Sequence, residues 1–221
     1  MPIWCTTNYA VRGSKSELDD LIRRLNTMQQ HDSEYGRYWF GNLLIDFGQT
    51  YPSIVNGLCP IYCGGVFSPN PTELSCAFGP DVDETEEFSL DEDGILRMSA
   101  ITPYQRNRQM EDFLKKKYPS MEIFFYSSDE MDGFHDLHDP ENLVECYPYY
   151  FSSLEGGSSL YYSWEYPKFL EDFRNECPGL EIPDDEDFLA SDKFAERFEE
   201  WKNQDDSRSD IDYYVAKKVN A

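Results

Sequence analysis

The sequence is poor in basic residues and has no long apolar run. It holds 19 lysines and arginines against 43 aspartates and glutamates, a formal net charge of −24 over 221 residues. This balance excludes a general surface for nucleic acid or anionic lipid, because both require basic side chains that neutralise phosphates. No apolar segment reaches the roughly 20 residues that a helix needs to cross a bilayer.

Export and disulfide signals are missing as well. The N-terminus lacks a basic start followed by an apolar stretch, so no signal peptide is expected. The nearest cysteine pair, Cys59 and Cys63, has a spacing that zinc tolerates, but no second ordered pair completes a site. Reduced thiols in the cytoplasm are therefore expected for all six cysteines: Cys5, Cys59, Cys63, Cys76, Cys146 and Cys177.

Aromatic residues and acidic residues are what the sequence has in abundance. Phe, Tyr and Trp make up 16% of the chain, which argues against disorder in spite of the charge. Residues 1–128 hold 18 acidic and 11 basic residues, whereas residues 129–221 hold 25 and 8. Eight acids fall within Asp81–Asp93, a segment that we expect to be a solvated connection.

The stretch Gly94–Gly133 reads as strand, helix, strand, and the rest of the chain is organised around it. Ile95–Ile101 has the character of a strand, and Thr102-Pro103 favours the start of a helix. That helix is expected to end near Tyr118-Pro119, before a second strand over Glu122–Ser127. A crossover of this length joins two strands that run the same way in one sheet.

The N-terminal segment has the same strand–helix pattern. Residues 3 to 11 alternate as in a strand. Ser14 and Glu17 have the spacing of a capping box, which predicts the start of a helix. Five apolar residues at helical spacing then predict its buried face: Leu18, Leu21, Ile22, Leu25 and Met28. Farther on, Gly64-Gly65 predicts a short strand with a bulge or a close backbone approach.

The C-terminal part predicts a hairpin, two helices and a closing strand. Leu143–Phe151 and Ser159–Tyr166 are aromatic strand candidates, and alternation over residues 211–215 predicts the closing strand. Pro167 suits the first turn of one helix, and Ser191 suits the cap of the next. Three aromatic residues at i, i+4 and i+7 predict the buried face of that second helix: Phe194, Phe198 and Trp201.

Several short motifs fall in a characteristic order: Met1–Thr7, Phe40–Leu43, Cys63–Gly65, Ser99–Pro103 and Lys117–Ser120. In this order they resemble a family of uncharacterised proteins with a ferredoxin-like domain, which are carried by plasmids, conjugative elements and phages of gut bacteria (YubB-type relatives). The resemblance is best over residues 1–134 and implies a mobile-element setting. It implies no activity, so no catalytic residue is carried over. Ile3 and Ile101 depart from the family, where Asn and Trp are frequent.

The nearest approach to a metal site lies at the start of the acidic half. His135 and His138 are three residues apart, with Asp132 and Asp136 beside them. Histidines and carboxylates together can ligate zinc or manganese. The spacing fixes no further ligand, so this motif alone is weakly specific.

Together these patterns predict an α+β protein. A ferredoxin-like core of two β-α-β-type units on an antiparallel or mixed sheet is expected over residues 1–134. An acidic α+β extension over residues 135–221 is expected to pack on the same sheet. No cofactor is expected.

Three functions are compatible with the sequence. The first is a non-enzymatic protein-binding or regulatory role in a bacterial mobile element, with a partner that has a basic surface and with no direct binding of nucleic acid or membrane. The second is an acidic face that imitates DNA phosphates and occupies a DNA-binding defence protein. The third is a metal-dependent hydrolase that uses the His135 and His138 region.

Overall fold

The computed structural model describes residues 4–31, 34–51, 54, 56, 59, 61–62, 64–69, 87–103, 105–129, 135–144, 146, 148–153, 157–162 and 165–218. The fold is α+β. The chain forms two compact units, Met1–Asp132 (with Ala221) and Gly133–Asn220. Among the described residues, no helix is long and apolar enough to cross a membrane.

In its described residues, the first unit has four strands and three helices: β1 (Trp4–Arg12), α1 (Lys15–Met28), α2 (Phe40–Asp46), β2 (Val66–Ser68), β3 (Leu96–Pro103), α3 (Arg108–Lys117) and β4 (Glu122–Asp129). The strands lie in the order β2-β3-β1-β4, and each neighbouring pair is antiparallel. Because β3 and β4 are both antiparallel to β1, they run in the same direction, as predicted for the crossover through α3.

The predicted start of α3, at Pro103, is wrong by five residues. β3 continues through Pro103, and the helix begins only after Asn107, whose side chain accepts a hydrogen bond from the Met110 backbone N–H at 3.1 Å. Thr102 does not cap the helix, because its backbone pairs with Cys5 of β1. Pairing with β1 therefore keeps Thr102 and Pro103 in the strand, although the Thr-Pro sequence favours the start of a helix.

The capping box predicted for α1 does not form either. The Ser14 side chain makes no capping hydrogen bond to the helix. Instead, Ser120 lies against the start of α1, where its hydroxyl oxygen accepts from the Ser14 backbone N–H at 2.8 Å. Glu17 accepts from the Ser120 N–H at 3.1 Å and from its hydroxyl at 2.5 Å. A tertiary partner has replaced the local one and joins α1 to the turn before β4.

The core of the first unit lies where the apolar pattern predicts it. Four of the five stripe residues of α1 are buried and the fifth is half-buried. Gly65 has a φ of +133°, and a Cβ there would lie 2.6 Å from the Ile101 carbonyl oxygen. This contact is the close backbone approach predicted for the glycine pair. Only glycine tolerates both a positive φ and so short a distance to a neighbouring backbone atom.

The acidic connection is ordered at its C-terminal end. Asp91 accepts hydrogen bonds from the backbone N–H groups of Asp93 and Ile95, both at 2.9 Å, and from Nε of Arg97 at 2.7 Å. Partial burial opposes ionisation, but these donors hold the pKa of Asp91 below its usual value. The prediction of a solvated connection is therefore wrong for Asp91, whereas residues 81–86 lie outside the described residues.

The described elements of the second unit are β5 (His135–His138), β6 (Tyr149–Ser153), β7 (Gly157–Tyr161), α4 (Tyr166–Glu176), α5 (Glu186–Leu189), α6 (Asp192–Lys202), β8 (Asp212–Val215) and β9 (Lys217–Lys218). Strands β7, β6 and β8 form an antiparallel sheet in that order, and β5 pairs with β9 in parallel. The predicted hairpin, two longer helices and closing strand are present. The bounds of the hairpin strands are wrong, because the first begins at Tyr149 and not at Leu143, and the second ends at Tyr161 before a helix that begins at Tyr166. Packing of the extension on the core sheet stays a prediction.

Aromatic rings dominate the core of the second unit. Phe173 lies at its centre, with five ring centroids 4.9 to 6.2 Å from its own. Those five rings come from two strands and two helices: Phe151, Phe169, Phe194, Phe198 and Tyr213. Large rings in contact give this unit a stiff interior, because each buries a large apolar area with few rotamers.

Candidate functional site

Helix α6 carries acidic residues on the face opposite its aromatic residues. Phe194, Phe198 and Trp201 are almost fully buried in the core. At about 100° per residue, four acids fall within an arc of about 100° on the other side of the helix, and all four are exposed. We call this set the acidic stripe: Asp192, Glu196, Glu199 and Glu200.

The start of the helix is fixed by capping. The Ser191 hydroxyl accepts a hydrogen bond from the Phe194 backbone N–H at 3.3 Å, which confirms the predicted cap. The same hydroxyl donates to the Phe188 carbonyl oxygen at 2.6 Å. Because Phe188 belongs to α5, the acidic stripe begins at a defined junction between two helices. The negative charge of Asp192 is also favourable there, because it lies at the positive end of the α6 dipole.

Little positive charge opposes the acidic stripe. Within the described residues, Asp192, Glu196 and Glu200 form no salt bridge, and Glu199 meets Lys202 at 3.8 Å. The basic residues inside the helix have other neighbours: Arg197 bonds to Glu181 at 2.7 Å, and Lys193 lies over the Phe188 ring. Most of the charge of the stripe is thus open to solvent or to a partner.

Tyrosines hold other carboxylates of the second unit in place. The hydroxyls of Tyr149 and Tyr161 donate to Glu186 and Asp172, each at 2.8 Å. Burial, followed by the hydrogen bond to Asp172, raises the pKa of Tyr161 to about 12. Burial and Glu186 raise the pKa of Tyr149 even more. Acidic groups here are therefore parts of a rigid framework as well as sources of charge.

We expect these tyrosines to keep their protons until the protein unfolds in alkali. A folded-state pKa above the unfolded value of about 10 gives a stabilisation that is complete below that pH. It is lost as the pH rises through the folded pKa, which is about 12 for Tyr161. Tyrosinate absorbance should therefore rise in two phases, the second together with the loss of helical circular dichroism. A single phase near pH 10 with the helices intact would contradict this expectation.

The structure describes part of the predicted histidine site. His135 and His138 both lie on the strand β5. Asp136 pairs with Lys217 of β9 in the strand register, and Asp132 lies outside the described residues. In the part of the chain that the structure describes, no group of three or more His, Cys, Asp or Glu residues could hold a metal ion. The hydrolase hypothesis stays an untested prediction.

The described cysteines are single thiols. Cys5, Cys146 and Cys177 are buried, Cys59 is half-buried, and no disulfide joins any two of these four. Cys63 and Cys76 lie outside the described residues. Burial raises the pKa of Cys177 to about 12, so its thiol is a poor nucleophile at neutral pH.

Sequence reasoning missed a buried polar cluster in the first unit. Glu111 and Arg106 are each only 7% exposed, and Glu111 accepts from Arg106 Nη1 at 2.6 Å and from the Tyr9 hydroxyl at 2.8 Å. The guanidinium carbon of Arg106 lies 3.5 Å from the centroid of the Phe125 ring. Burial raises the pKa of Glu111, although the charge of Arg106 opposes the rise. Burial and the neighbouring Glu111 carboxylate together raise the pKa of Tyr9.

An open cleft of about 590 Å³ adjoins this cluster at the start of α3. Its described lining is Tyr62, Pro103 and residues 105–109, which include two arginines and no acidic residue. Asn107 Nδ2 donates to the Tyr62 carbonyl at 2.8 Å, and the Tyr62 N–H donates to Gln109 Oε1 at 2.7 Å. These two bonds fix the backbone of Tyr62, and its side chain stays 47% exposed.

No protein-family model matches this chain, and comparisons with curated proteins and with solved structures give no match. Two features of the described residues therefore bear on function. One is acidic, exposed and carried by a helix of the second unit. The other is concave and basic and lies in the first unit.

Proposed function

We propose that this protein is a non-enzymatic binding protein that engages the basic surface of a partner protein through the acidic stripe. The observation that carries the proposal is four exposed carboxylates on one face of α6, whose other face is locked into the aromatic core. A fixed array of like charges attracts a complementary surface and accelerates its approach. Since the helix is already rigid, few groups have to become ordered on binding.

The same proposal includes a ferredoxin-like core and a regulatory role in a bacterial mobile element. The strand order supports the core, because β1 and β2 flank β3 while β3 and β4 flank β1. Two interleaved β-α-β units produce this alternation. The mobile-element setting rests on the motif resemblance to YubB-type proteins.

The number of charges along the helix favours a second candidate, imitation of DNA. From Asp192 to Glu200 the helix rises about 12 Å at 1.5 Å per residue, in successive steps of about 6, 4.5 and 1.5 Å between the four acids, so that length holds about as many charges as one DNA strand. One strand of DNA carries a phosphate about every 3.4 Å. This similarity supports a DNA-binding protein as the partner, with the stripe in place of the nucleic acid.

Neutralising the stripe should abolish binding of the partner. The test variant combines Asp192→Asn, Glu196→Gln, Glu199→Gln and Glu200→Gln, because amides keep the side-chain size and remove four charges. A matched control removes four exposed acids elsewhere in the second unit: Glu171→Gln, Glu176→Gln, Asp187→Asn and Asp210→Asn. Immobilised wild type and control should retain the same proteins from a bacterial extract, and the stripe variant should lose them.

Elution distinguishes the two candidates. Bound proteins should be released as salt rises from about 0.05 to 0.5 M, because screening weakens attraction between exposed charges. If short duplex DNA at constant low salt also releases them, the stripe occupies a DNA-binding site. If only salt releases them, the partner has an ordinary basic surface. Retention by the stripe variant equal to that of wild type would overturn both.

A further inference from the structure

A groove runs along the outer edge of β8 in the second unit. Among the described strands, β8 is the last on its side of the three-stranded sheet. The groove has a volume of about 270 Å³, and it is lined by Asp212–Val215 of β8 and by residues of α5, α6 and the junction between these helices. The edge of β8 therefore faces open space rather than a further described strand.

The register of β8 shows which of its backbone groups point into that space. The Ala216 N–H donates to the carbonyl oxygen of Pro148 opposite at 2.8 Å, so these two residues form a hydrogen-bonded pair. Hydrogen-bonded and non-hydrogen-bonded pairs alternate along an antiparallel ladder, so Val215 and Tyr213 are in non-hydrogen-bonded pairs. The N–H and C=O groups of both residues therefore point away from β6, toward the outer edge.

Three of these four backbone groups have no protein partner among the described residues. The Tyr213 N–H donates to Asp212 Oδ1 at 2.9 Å. No described residue is hydrogen-bonded to the Tyr213 C=O or to either backbone group of Val215. Val215 is only 8% exposed, and a shielded backbone group without a partner is costly. An added strand would supply the two donors and the one acceptor that are missing.

The walls of the groove carry negative charge. The described lining includes Asp192 and Glu199 of α6 and Asp212 of β8, and no basic residue. Glu199 meets Lys202 at 3.8 Å, and the other two carboxylates form no salt bridge within the described residues. Burial, followed by the charges of Asp212 and Glu199, raises the pKa of Tyr213, so the fields of both walls reach that ring. A strand that enters the groove is therefore favoured if it is basic.

Ala195 leaves room for a long side chain on the α6 wall. It lies three residues after Asp192 and four before Glu199, so all three share one side of the helix. Its small side chain is exposed and lines the groove. An arginine suits this place, because its aliphatic stem can cover the alanine while its guanidinium bonds to a carboxylate.

We propose that an extended segment of a basic partner protein adds to β8 as a further strand and places an arginine over Ala195, between Asp192 and Glu199. Strand addition draws its affinity from backbone hydrogen bonds and its specificity from pockets for alternate side chains. This strand addition rests on the proposed function, since it gives the form of the basic segment that the acidic stripe attracts. It can fail while the stripe still binds a basic surface.

The probe is the peptide acetyl-Val-Arg-Val-Arg-Val-amide, titrated into the isotope-labelled full chain at about 0.05 M salt, where exposed charges are only partly screened. Nuclear magnetic resonance should show shifts of the amide signals of Ala195, Tyr213 and Val215. N-methyl groups on the three central residues of the peptide keep its charges but remove three N–H donors, which should weaken binding at least about tenfold. Citrulline in place of both arginines removes the charges and should weaken binding as much.

Each probe addresses one part of the proposal. If the N-methylated peptide bound as tightly as the parent peptide, charge alone would attract it and strand addition would be wrong. If the citrulline peptide bound equally well, the contacts to the acidic walls would be wrong. No binding of the arginine peptide at millimolar concentration would overturn the proposal.

Filling the groove separates this strand addition from the proposed function. Ala195→Met adds bulk at the groove and keeps all four charges of the stripe, and both residue types favour a helix. It should weaken binding of the arginine peptide at least about tenfold, because the arginine stem loses its place. Gln204→Met, at an exposed position beyond α6, is the control and should bind as wild type.

Equal thermal unfolding of the two methionine variants shows that both are folded. Wild-type affinity of the Ala195→Met protein for the peptide would overturn the proposal and leave the proposed function intact. The proposed function fails on a different result, which is retention of extract proteins by the stripe variant.

Discussion

Replacing Glu111 with alanine should lower the free energy of unfolding by about 3–5 kcal/mol, the usual cost of breaking a buried ion pair. The change leaves the Arg106 guanidinium charged and buried, and it removes the acceptor of the Tyr9 hydroxyl. Both groups would then be desolvated without their partner. Urea unfolding monitored by circular dichroism measures the effect.

A double replacement distinguishes the loss of the ion pair itself from the cost of leaving one charge buried without its partner. Arg106→Met combined with Glu111→Leu removes both charges and keeps the volume apolar, so most of the lost stability should return. Lys116→Ala on the exposed side of α3 controls for helix propensity and should change stability by less than about 0.5 kcal/mol. If Glu111→Ala cost no more than this control, the cluster would not be buried in solution.

Replacing Phe173 with alanine should destabilise the second unit by about 3–5 kcal/mol, the usual range for a large aromatic side chain in a core. The side chain is fully buried, and its ring touches rings of β6, β8, α4 and α6. Removing it leaves a cavity that rigid neighbours cannot fill. Thermal unfolding followed by near-ultraviolet circular dichroism reports on this cluster directly, since its signal comes from packed aromatic rings.

Two other substitutions give the scale for that result. Phe173→Leu keeps most of the apolar volume and should cost less than half as much. Leu160→Ala changes a residue that is 52% exposed on β7 and should stay within about 0.5 kcal/mol of wild type. A Phe173→Ala protein that unfolds like the Leu160→Ala protein would show that the rings do not form one cooperative core.

Short-range sequence patterns correctly predicted elements that depend on residues close together in the chain. The spacing of Phe194, Phe198 and Trp201 placed α6 and its buried face, and Ser191 placed its start. Once the phase of that helix is known, the acidic stripe follows from the sequence as well, because the remaining positions must face outward. The number of acids in the sequence does not show that four of them share one face of α6. Their angular positions around the helix show it.

Two of the missed features depend on residues far apart in the chain. Ser120 replaces the local cap of α1 from 106 residues away, and the Tyr9 hydroxyl reaches Glu111 across 102 residues. In the sequence, Arg106 and Glu111 look like ordinary polar residues near the start of a surface helix. Only the pairing of β1 with β3 and β4 brings Tyr9 and Phe125 against them. No short-range pattern carries that information.

The shortness of β2 bears on how this protein behaves at high concentration. Among the described strands β2 is the outermost on its side of the sheet, and it contributes only three residues, Val66–Ser68. A long, regular outer strand would offer unpaired backbone groups on which a second molecule could add its own strand. Here the row is brief, and the segment before α2 already covers part of it, since the Phe67 N–H donates to the Tyr38 carbonyl oxygen at 2.9 Å and Trp39 bridges to Val66. Molecules that each carry −24 also repel one another. We therefore expect this edge of the sheet not to start fibrous aggregates in concentrated solutions.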